Sequence, residues 1–308
     1  MKVLFVSSGN NKFGVSPIIK NQGESLKKEG IEVEYFTIKG KGVKGYLKAS
    51  QELRKHLKIN SYDIIHAHYW LSGITATLAG AKPLVVSLMG DDVKAKAWFR
   101  WIIFIFYKLF WDKTIVKSQD MYESFNQKGV EVISNGVDLD RFKPIDKEEA
   151  LKRLGWSSEK KHILFTANPD RYVKNFPFAK RAFEFINNGT MELHYLKNIS
   201  NEEVVYYYNA ADVVIMTSHW EGSPNAIKEA LACNAVVVSR DVGDIKELLK
   251  EVKGCHVVKG DEKDFGEYIL KAIAFNNNSN GRENIAHLSS SNVAKRVIKL
   301  YKELIKDK

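Results

Sequence analysis

The stretch DVVIMTSHWEGSPNAIKEALACNAVVVSR, residues 212–240, contains the alternation that decides the fold. Two apolar runs, DVVIMTS and NAVVVSR, flank a Gly-Ser-Pro turn and a segment with helical spacing of apolar residues. Strands that are continuously apolar are buried on both faces, and strands that alternate with helices form parallel sheets. The stretch therefore predicts one strand–helix–strand unit of an α/β protein.

The same alternation of apolar runs and helical segments continues through the rest of the chain. Before this stretch come the apolar runs KVLFVSS, IEVEYFTI, YDIIHAH, PLVVSLMG, KTIVKS, KHILFTAN and MELHYL, and after it comes GCHVV. Residues 132–146, VISNGVDLDRFKPID, contain Asn-Gly and Lys-Pro, which are turn and break signals. We therefore predict two Rossmann-like domains, residues 1–143 and 144–290, followed by a closing helix at 291–308.

The composition favours anionic partners but does not identify which kind. The chain has 308 residues and a net charge of +10, which favours phosphates, nucleotides, anionic lipid or nucleic acid. The basic residues are scattered and form no recognised nucleic-acid module, so we expect no nucleic-acid partner. Cys233 and Cys255 have no His/Cys cluster near them in sequence, which indicates neither a disulfide framework nor a zinc site.

The expected location follows from what the sequence lacks. The first apolar run is too short for the core of a signal peptide, and no run reaches the length of about 18 apolar residues that a membrane span needs. The low cysteine content fits a reducing compartment. We expect a cytoplasmic protein, with peripheral association with the inner face of the membrane as an option.

Residues that follow strands are the first candidates for a binding site, because open parallel sheets bind ligands beyond the carboxyl ends of their strands. The first strand is followed by SSGNNKFGVSP, in which Gly9 and Gly14 permit a close approach of backbone to ligand and Pro17 opens a helix. An ordinary strand-to-helix turn explains these residues equally well.

The turn WEGSPNAIKEALA places two glutamates around a helix start. Ser223 is a candidate N-cap and Pro224 a first-turn residue, so the amides near Asn225 and Ala226 suit a phosphate or a sugar hydroxyl. Glu221 before the cap and Glu229 inside the helix can accept hydrogen bonds from sugar hydroxyls. The alternative is that Glu221 caps a helix and Glu229 is a solvated surface residue.

The block from residue 209 to 249 resembles the donor-binding region of the retaining GT-B glycosyltransferases of the sucrose-synthase and mannosyltransferase-like family, the glycosyl transferases group 1. The shared pattern is an acidic residue followed, after seven residues, by a glutamate. Further resemblance lies in ISNGVDLDRFKP, in DIIHAHYWLSG and in the glycine-containing first loop. The resemblance implies a GT-B fold: two Rossmann-like domains face each other across a cleft, with the last helix packing back on the first domain.

The resemblance also implies roles for particular residues. Glu221 is expected to hold the donor sugar and Glu229 the nucleotide ribose, while Arg171 and Lys174 neutralise the diphosphate without a metal or other cofactor. Arg171 and Lys174 are closer together than in the usual family pattern, and a solvated basic loop is the alternative. The remaining residues assigned to the nucleotide-sugar donor are Gly14, Asn168, Gly222, Ser223, Pro224, Asn225 and Ala226.

One position departs from the family pattern. Many relatives have a histidine in an HG-x-D turn after the fourth strand, where this chain has Met89 followed by Gly90, Asp91 and Asp92. Either aspartate takes over the contact to the sugar, or the sugar differs, or activity is lost. We assign Gly90, Asp91 and Asp92 to the acceptor side, together with Gly9 and His68, although a histidine at a strand end is commonly a core residue.

Residues 97–113, AWFRWIIFIFYKLFWDK, are apolar on nearly every side and too short to span a bilayer. One interpretation is a helix packed inside the first domain. The other is that its aromatic residues and nearby lysines rest on an anionic membrane surface, where a lipid-linked acceptor is presented.

The function expected from the resemblance is transfer of a hexose-type sugar from a nucleotide-diphosphate donor to an acceptor hydroxyl, with retention at the anomeric carbon. A glycan or a lipid-linked molecule is the expected acceptor, in cell-surface polysaccharide or glycolipid synthesis. Two alternatives stay open. The chain is a sugar-nucleotide epimerase or phosphorylase on the same fold, or a non-catalytic nucleotide-sugar or glycan-binding partner of another transferase.

Overall fold

The computed structural model describes residues 1–10, 14–40, 42–90 and 97–306. The chain forms two compact units, a first unit of Met1–Gly136 with Ser290–Lys308 and a second unit of Val137–Ser289. The domain boundaries predicted from the sequence were 143/144 and 290/291. Residues 137–143 lie in the second unit because Phe142 is buried in its core and Arg282 donates hydrogen bonds to the carbonyls of Leu139 and Phe142, at 2.8 and 2.7 Å.

The first unit is built on a parallel six-stranded sheet, in the order β2-β1-β3-β4-β5-β6 among the described residues. Each strand except β2 and β6 is a run of almost wholly buried residues, as expected for a sheet covered on both faces. The strands are β1 (Lys2–Ser8), β2 (Glu32–Ile38), β3 (Ile64–His68), β4 (Leu84–Ser87), β5 (Lys113–Val116) and β6 (Val130–Val132).

Helices cover both faces of this sheet. They are α1 (Pro17–Lys28), α2 (Gly42–Ile59), α3 (Trp70–Ala79), α4 (Ala97–Leu109) and α5 (Gln119–Phe125). One face packs against residues of α2 to α5, and the other packs against α1. Ser16 caps α1 through a hydrogen bond from the Ile19 amide, and Pro17 is its first residue, as the sequence predicts.

The second unit repeats this architecture with five parallel strands, in the order β11-β10-β9-β7-β8. Its strands are β7 (Lys161–Phe165), β8 (Met191–Tyr195), β9 (Val213–Met216), β10 (Val237–Arg240) and β11 (His256–Val258). Its helices are α6 (Lys147–Leu154), α7 (Phe176–Ile186), α8 (Val204–Ala210), α9 (Asn225–Ala232), α10 (Ile245–Leu248), α11 (Glu262–Phe275) and α12 (Gly281–Asn284).

The last helix, α13 (Ser290–Lys306), belongs to the first unit. It covers the same face of the sheet as α1 through Val293, Val297 and Tyr301. The Tyr301 hydroxyl is fully buried and lies 2.5 Å from His66 Nδ1, which fastens the helix to the middle of β3. Helix α13 therefore shares the covering of this sheet face with α1.

Both sheets have a topological switch point. At this point, successive strands stop being added on one side of the first strand and begin to be added on its other side. When the strands are numbered from the start of each unit, the order is 2-1-3-4-5-6 in the first unit and 2-1-3-4-5 in the second. In both units the switch lies between the first and third strands. Ligands of such sheets bind at the carboxyl ends of these two strands. In the first unit the switch is between β1 and β3, and in the second unit between β7 and β9.

Val130–Val132 forms the edge strand β6, whereas no strand was predicted directly before the turn and break signals that begin at Val132. Among residues 1–10, 14–40, 42–90 and 97–306, no helix combines the length and the apolar character that crossing a membrane requires.

Candidate functional site

The predicted donor residues follow the two strands at the switch point of the second unit. Asn168, Arg171 and Lys174 come after β7, and Glu221 to Glu229 come after β9. Because β7 and β9 are adjacent and parallel, the two loops meet at one edge of the sheet. The topology therefore brings together two segments that lie about 50 residues apart in sequence, at the place where this kind of sheet binds ligands.

Lys174 and Glu221 form an ion pair at this edge. The Lys174 Nζ atom is 2.5 Å from Glu221 Oε1, and the Ser218 hydroxyl donates a hydrogen bond to the same oxygen at 2.7 Å. Only 15% of the Lys174 side chain and 14% of the Glu221 side chain are exposed. The pair therefore combines a fixed cation with a fixed carboxylate in a partly dehydrated setting, where charge interactions are stronger than in water.

Hydrogen bonds between the two loops hold this pair in place. The Thr217 hydroxyl donates to the carbonyls of Lys174 and Asn175, at 3.1 and 3.0 Å. The His219 amide donates to the Val173 carbonyl at 2.9 Å. The short 3₁₀ turn Tyr172–Lys174 is thus fastened to the end of β9, which positions the lysine against the glutamate.

The start of α9 differs from the sequence-based interpretation. The helix begins at Asn225 with Pro224 at the N-cap, so Ser223 is not the cap. The Ser223 hydroxyl instead donates a short hydrogen bond to Asp244 Oδ2, because that buried carboxylate is the stronger acceptor nearby. The Asn225 and Ala226 amides remain in the first turn, where backbone donors have no partner within a helix. These amides lie at the sheet edge where the predicted donor site is.

Glu229 is not a solvated surface residue. The Tyr208 hydroxyl, which is almost fully buried, donates a hydrogen bond to Glu229 Oε2 at 3.1 Å. Burial raises the pKa of this carboxyl to about 7, although the Tyr208 hydrogen bond and the charge of Arg141 act in the opposite direction. A carboxyl with a pKa near neutrality is a common feature of functional sites.

Lys228 and Asp244 were not singled out from the sequence. The Lys228 side chain is completely buried, and burial lowers its pKa to about 8 while Asp244 and Glu229 oppose that shift. Burial also raises the pKa of Asp244, which Lys228 and Ser223 partly offset. A lysine in the helix interior carries no special signal in sequence, so only the packing of α9 against the β10–α10 loop identifies it.

Two buried side-chain oxygens near the start of α9 have no hydrogen-bond partner among the described residues. They are Asn225 Oδ1 and Asp244 Oδ1. Buried polar atoms are almost always hydrogen-bonded in folded proteins. These two acceptors are therefore suited to a ligand that brings hydroxyl or amide donors to the site.

Asn168 and Arg171 form the tip of the first loop. The Asn168 side chain accepts a hydrogen bond from the Asp170 amide at 3.0 Å, and its carbonyl accepts one from the Arg171 amide at 3.1 Å. Arg171 is exposed, whereas the side chain of Lys174, three residues on, is largely buried. In the structure Lys174 contacts Glu221, whereas Arg171 lies exposed at the tip of the loop.

Two of the predicted acceptor-side residues lie at the switch point of the first unit. Gly9 follows β1 and packs against Thr37, and His68 is the last residue of β3. Gly14, which was predicted to bind the donor, lies between β1 and α1 and has a φ of +71°. His68 is 1% exposed, stacks on the His66 ring, and has no hydrogen-bond partner among the described residues. Burial holds the pKa of His68 well below its usual range. Gly90 follows β4, and Asp91 and Asp92 lie outside the described residues.

Helix α4 has one buried side and one exposed apolar side. Ile103 is buried in the core of the first unit, whereas 66% of Trp101 and 67% of Leu109 are exposed. Phe104 on the helix and Phe110, directly after its end, are also exposed. The helix therefore packs inside the first unit, as one sequence-based interpretation proposed, and it also presents an apolar surface to solvent.

One group among the described residues has donor atoms spaced for a metal ion, and it lies away from the switch point: His162, Glu192 and His194. The sequence pattern does not reveal this cluster, because its residues come from two strands separated by about 30 positions.

Known families match both units of the chain. Residues 20–141 match the Glycosyltransferase Family 4 model, and residues 187–287 match the model described as Glycosyl transferases group 1. A relative, D-inositol 3-phosphate glycosyltransferase of Geodermatophilus obscurus, is 25% identical over 278 residues, which cover 69% of this chain. The chain spans only 60% of that relative's length.

Two further proteins resemble this chain. The putative teichuronic acid biosynthesis glycosyltransferase TuaC of Bacillus subtilis is 26% identical over 270 residues, covering 73% of this chain and 69% of TuaC. The solved structure of Anabaena Alr3699/HepE in complex with UDP and glucose has a TM-score of 0.77 and 16% identity, and the match covers 98% of this chain and 99% of that one. The chain is therefore similar to the Glycosyltransferase Family 4 in its first unit and to the glycosyl transferases group 1 in its second unit, and its fold is GT-B.

Proposed function

We propose that the chain is a glycosyltransferase that moves a hexose-type sugar from a nucleotide-diphosphate donor to an acceptor hydroxyl. The observation that supports this most strongly is the Lys174–Glu221 ion pair at the switch point, with Glu229 one helix turn and a half further on. A nucleotide-sugar has hydroxyls at both ends and an anionic diphosphate between them. A cation paired with one carboxylate, with a second carboxylate in the adjoining helix, supplies groups for the diphosphate and for hydroxyls at both ends of such a donor.

Each residue has a role in this proposal. Glu221 accepts hydrogen bonds from the sugar, and Glu229 accepts them from the nucleotide ribose. Lys174, Arg171 and the first-turn amides of α9 stabilise the diphosphate, whose negative charge increases as it departs. Fixed donors that act on a developing charge stabilise the transition state more than the ground state.

The proposed reaction proceeds with retention and needs no protein nucleophile. The bond between the anomeric carbon and the diphosphate oxygen breaks, and the acceptor oxygen bonds to the same face of the sugar. The proton of the acceptor hydroxyl passes to the departing diphosphate. Lys174 and Arg171 supply positive charge to that leaving group, so the proposal requires no metal ion and no other cofactor.

The acceptor in this proposal is a glycan or a lipid-linked molecule, held by the first unit around Gly9, His68 and Gly90. Similarity to TuaC, a putative teichuronic acid biosynthesis glycosyltransferase, supports a place in cell-surface polysaccharide synthesis. We propose a cytoplasmic enzyme that associates with the membrane through the exposed face of α4. The apolar residues Trp101, Phe104 and Leu109 would insert at the interface, with Lys108 beside them.

The enzymatic proposal is tested by release of nucleoside diphosphate from UDP-, GDP- and ADP-sugars, measured with candidate acceptors and with a chelator present. Glu221→Gln should lower kcat about a hundredfold, the size of effect seen when a single transition-state contact is removed. Glu184→Gln, which changes an exposed glutamate on α7, is the matched control and should retain full activity. Transfer at the normal rate by Glu221→Gln would exclude the role given to that residue.

Membrane association is tested separately by co-sedimentation with vesicles of anionic or neutral lipid. The double variant Trp101→Ala, Phe104→Ala should lose binding to anionic vesicles, because it removes much of the exposed apolar side of α4. Phe185→Ala removes an equally exposed aromatic residue from the second unit and should bind as the unmodified chain does. Equal binding of all three proteins would overturn this part of the proposal.

A further inference from the structure

His162, Glu192 and His194 lie on one face of two adjacent strands of the second unit. His162 on β7 is directly paired with Glu192 on β8, and His194 is two residues further along β8. Side chains two residues apart on a strand point to the same face, and so do the side chains of directly paired residues. The sheet register therefore brings two imidazoles and one carboxylate together.

The distances between their donor atoms match a small tetrahedral ion. His162 Nδ1 is 3.0 Å from His194 Nε2, and Glu192 Oε2 is 3.6 Å from His194 Nε2 and 3.8 Å from His162 Nδ1. Ligand atoms of a tetrahedral zinc ion, with bonds of about 2.0–2.1 Å, lie about 3.3–3.4 Å apart. The three observed distances bracket that value, so only small side-chain movements are needed to close around an ion.

Hydrogen bonds with neighbouring residues determine which atoms of His162 and Glu192 are available to bind an ion. His162 Nε2 is 2.8 Å from the Ser157 carbonyl, which only accepts hydrogen bonds, so the ring carries its proton on Nε2 and its lone pair on Nδ1. Histidine ligands of metals typically donate their second N–H in this way. Lys160 is bonded to Glu192 Oε1 at 2.6 Å, which leaves Oε2 facing the histidines.

The cluster is packed against an aromatic ring on one side and exposed to solvent on the other. The Trp156 ring is stacked on His194 with a centroid distance of 3.6 Å and an interplanar angle of 14°. His162 is fully buried, while 35% of the Glu192 side chain and 19% of the His194 side chain are exposed. An ion can therefore enter from solvent and meet ligands whose positions are already restricted.

We propose that His162 Nδ1, His194 Nε2 and Glu192 Oε2 bind one divalent transition-metal ion of the Zn²⁺ class, with the fourth position open to solvent. The proton on His194 Nε2, which bridges the two rings, moves to Nδ1 of the same ring when the ion binds. Two imidazoles and a carboxylate select Zn²⁺, Ni²⁺ or Cu²⁺ over Mg²⁺. The ion would tie the edge strand β8 to β7 and stabilise the second unit.

This site is separate from the proposed donor site. Its residues lie on the first four positions of β7 and β8, whereas the predicted donor residues follow the carboxyl ends of β7 and β9. The proposed sugar transfer requires no metal ion. Metal binding and transfer can therefore be measured independently of each other.

The test is calorimetric titration of the tag-free, chelator-treated chain with Zn²⁺, together with its melting temperature. We expect one ion per chain and a melting temperature that rises with Zn²⁺ concentration and not with Mg²⁺, since a ligand that binds only the folded state stabilises it. His194→Gln and Glu192→Gln should each weaken binding by about tenfold or more.

His287→Gln removes an exposed histidine of the same unit and should leave binding unchanged. If His194→Gln fails to fold, Glu192→Gln, whose side chain has the same shape as the original, provides the decisive comparison. The proposal is overturned if Zn²⁺ does not bind to the unmodified chain, or if it binds to the folded Glu192→Gln variant with unchanged affinity and stoichiometry.

Discussion

Lys174 and Glu221 each compensate the charge of the other in a largely buried position. Each side chain is about 85% covered, and the two atoms of the pair are in direct contact at 2.5 Å. Removing one charge of such a pair leaves the other with a desolvation cost that is no longer offset. The ion pair therefore matters for folding as well as for the proposed binding of a diphosphate.

A double-mutant cycle measures this dependence. Lys174→Ala should lower the free energy of unfolding, and adding Glu221→Gln should restore part of the loss, giving a coupling of about 1–2 kcal/mol. The exposed pair Lys180–Glu184 on α7 is the matched control, with an expected coupling of about 0.3–0.5 kcal/mol. Equal couplings in the two cycles, measured by denaturant unfolding, would contradict the special position of Lys174.

Glu229 should make stability depend on pH. Its pKa is about 7 in the folded chain against 4.5 for the ordinary carboxyl, so the folded state binds more protons between these values. The free energy of unfolding should therefore fall as pH rises from 4.5 through about 7. In Glu229→Gln this contribution is absent, so its stability relative to the unmodified chain should increase over the same range.

The comparison is made by denaturant unfolding at several pH values between 4.5 and 8. Tyr208→Phe provides a second check, because the Tyr208 hydroxyl lowers the Glu229 pKa and its loss should move the transition to higher pH. A constant difference between Glu229→Gln and the unmodified chain across the range would show that the carboxyl is not perturbed.

The positions of single residues could be predicted from the sequence where a motif fixes their spacing. Glu221 lies after β9 and Glu229 lies inside α9, as the pattern indicates, while their roles in donor binding stay predictions. Ser223 was misassigned because its acceptor, Asp244, lies 21 residues further on, beyond the reach of a local capping rule. His162, Glu192 and His194 were missed for the same reason, since a cross-strand cluster depends on register.

At the level of secondary-structure elements, the loop after β9 is supported by the loop after β10. Gly243 has a φ of +61°, and a Cβ atom at this position would approach the Gly222 carbonyl oxygen to 2.6 Å. A side chain here would displace the segment that carries Glu221. Gly155, at the end of α6, has a similar φ of +68° but no atom within 4 Å of the added Cβ.

The comparison of Gly243→Ala with Gly155→Ala separates backbone strain from steric conflict. Both should lose about 1 kcal/mol from the positive φ. Gly243→Ala should lose further stability and weaken the binding of a nucleotide-sugar, because it moves Glu221 and Gly222. Equal stability and equal ligand binding of the two variants, measured by thermal unfolding with and without nucleotide-sugar, would contradict this.

Elements were predictable from sequence where their pattern was long and regular. The continuous apolar runs correspond to ten strands, and the amphipathic last segment corresponds to α13. The edge strand β6 has three residues, one of them an exposed glutamate, which is too short for a periodicity to show.

At the scale of the whole molecule, the chain repeats one design twice. The parallel sheets of both units share the strand order 2-1-3-4-5, to which the first unit adds a sixth strand at its edge. Each unit has polar or glycine residues after the two strands at its switch point. Sequence periodicity predicts such a repeat, because each strand–helix pair is local. It does not reveal that α13 completes the first unit, since the contact of Tyr301 with His66 joins residues 235 positions apart.

The most direct test of the account is the melting temperature of the purified chain with UDP-, GDP- and ADP-sugars, with and without magnesium. We predict that the sugars of one nucleotide raise the melting temperature, that Glu229→Gln reduces this shift, and that magnesium does not alter it. Glu184→Gln is the control and should respond as the unmodified chain does. If no nucleotide-sugar shifts the melting temperature at saturating concentration, or if Glu229→Gln responds fully, the proposed donor site is wrong.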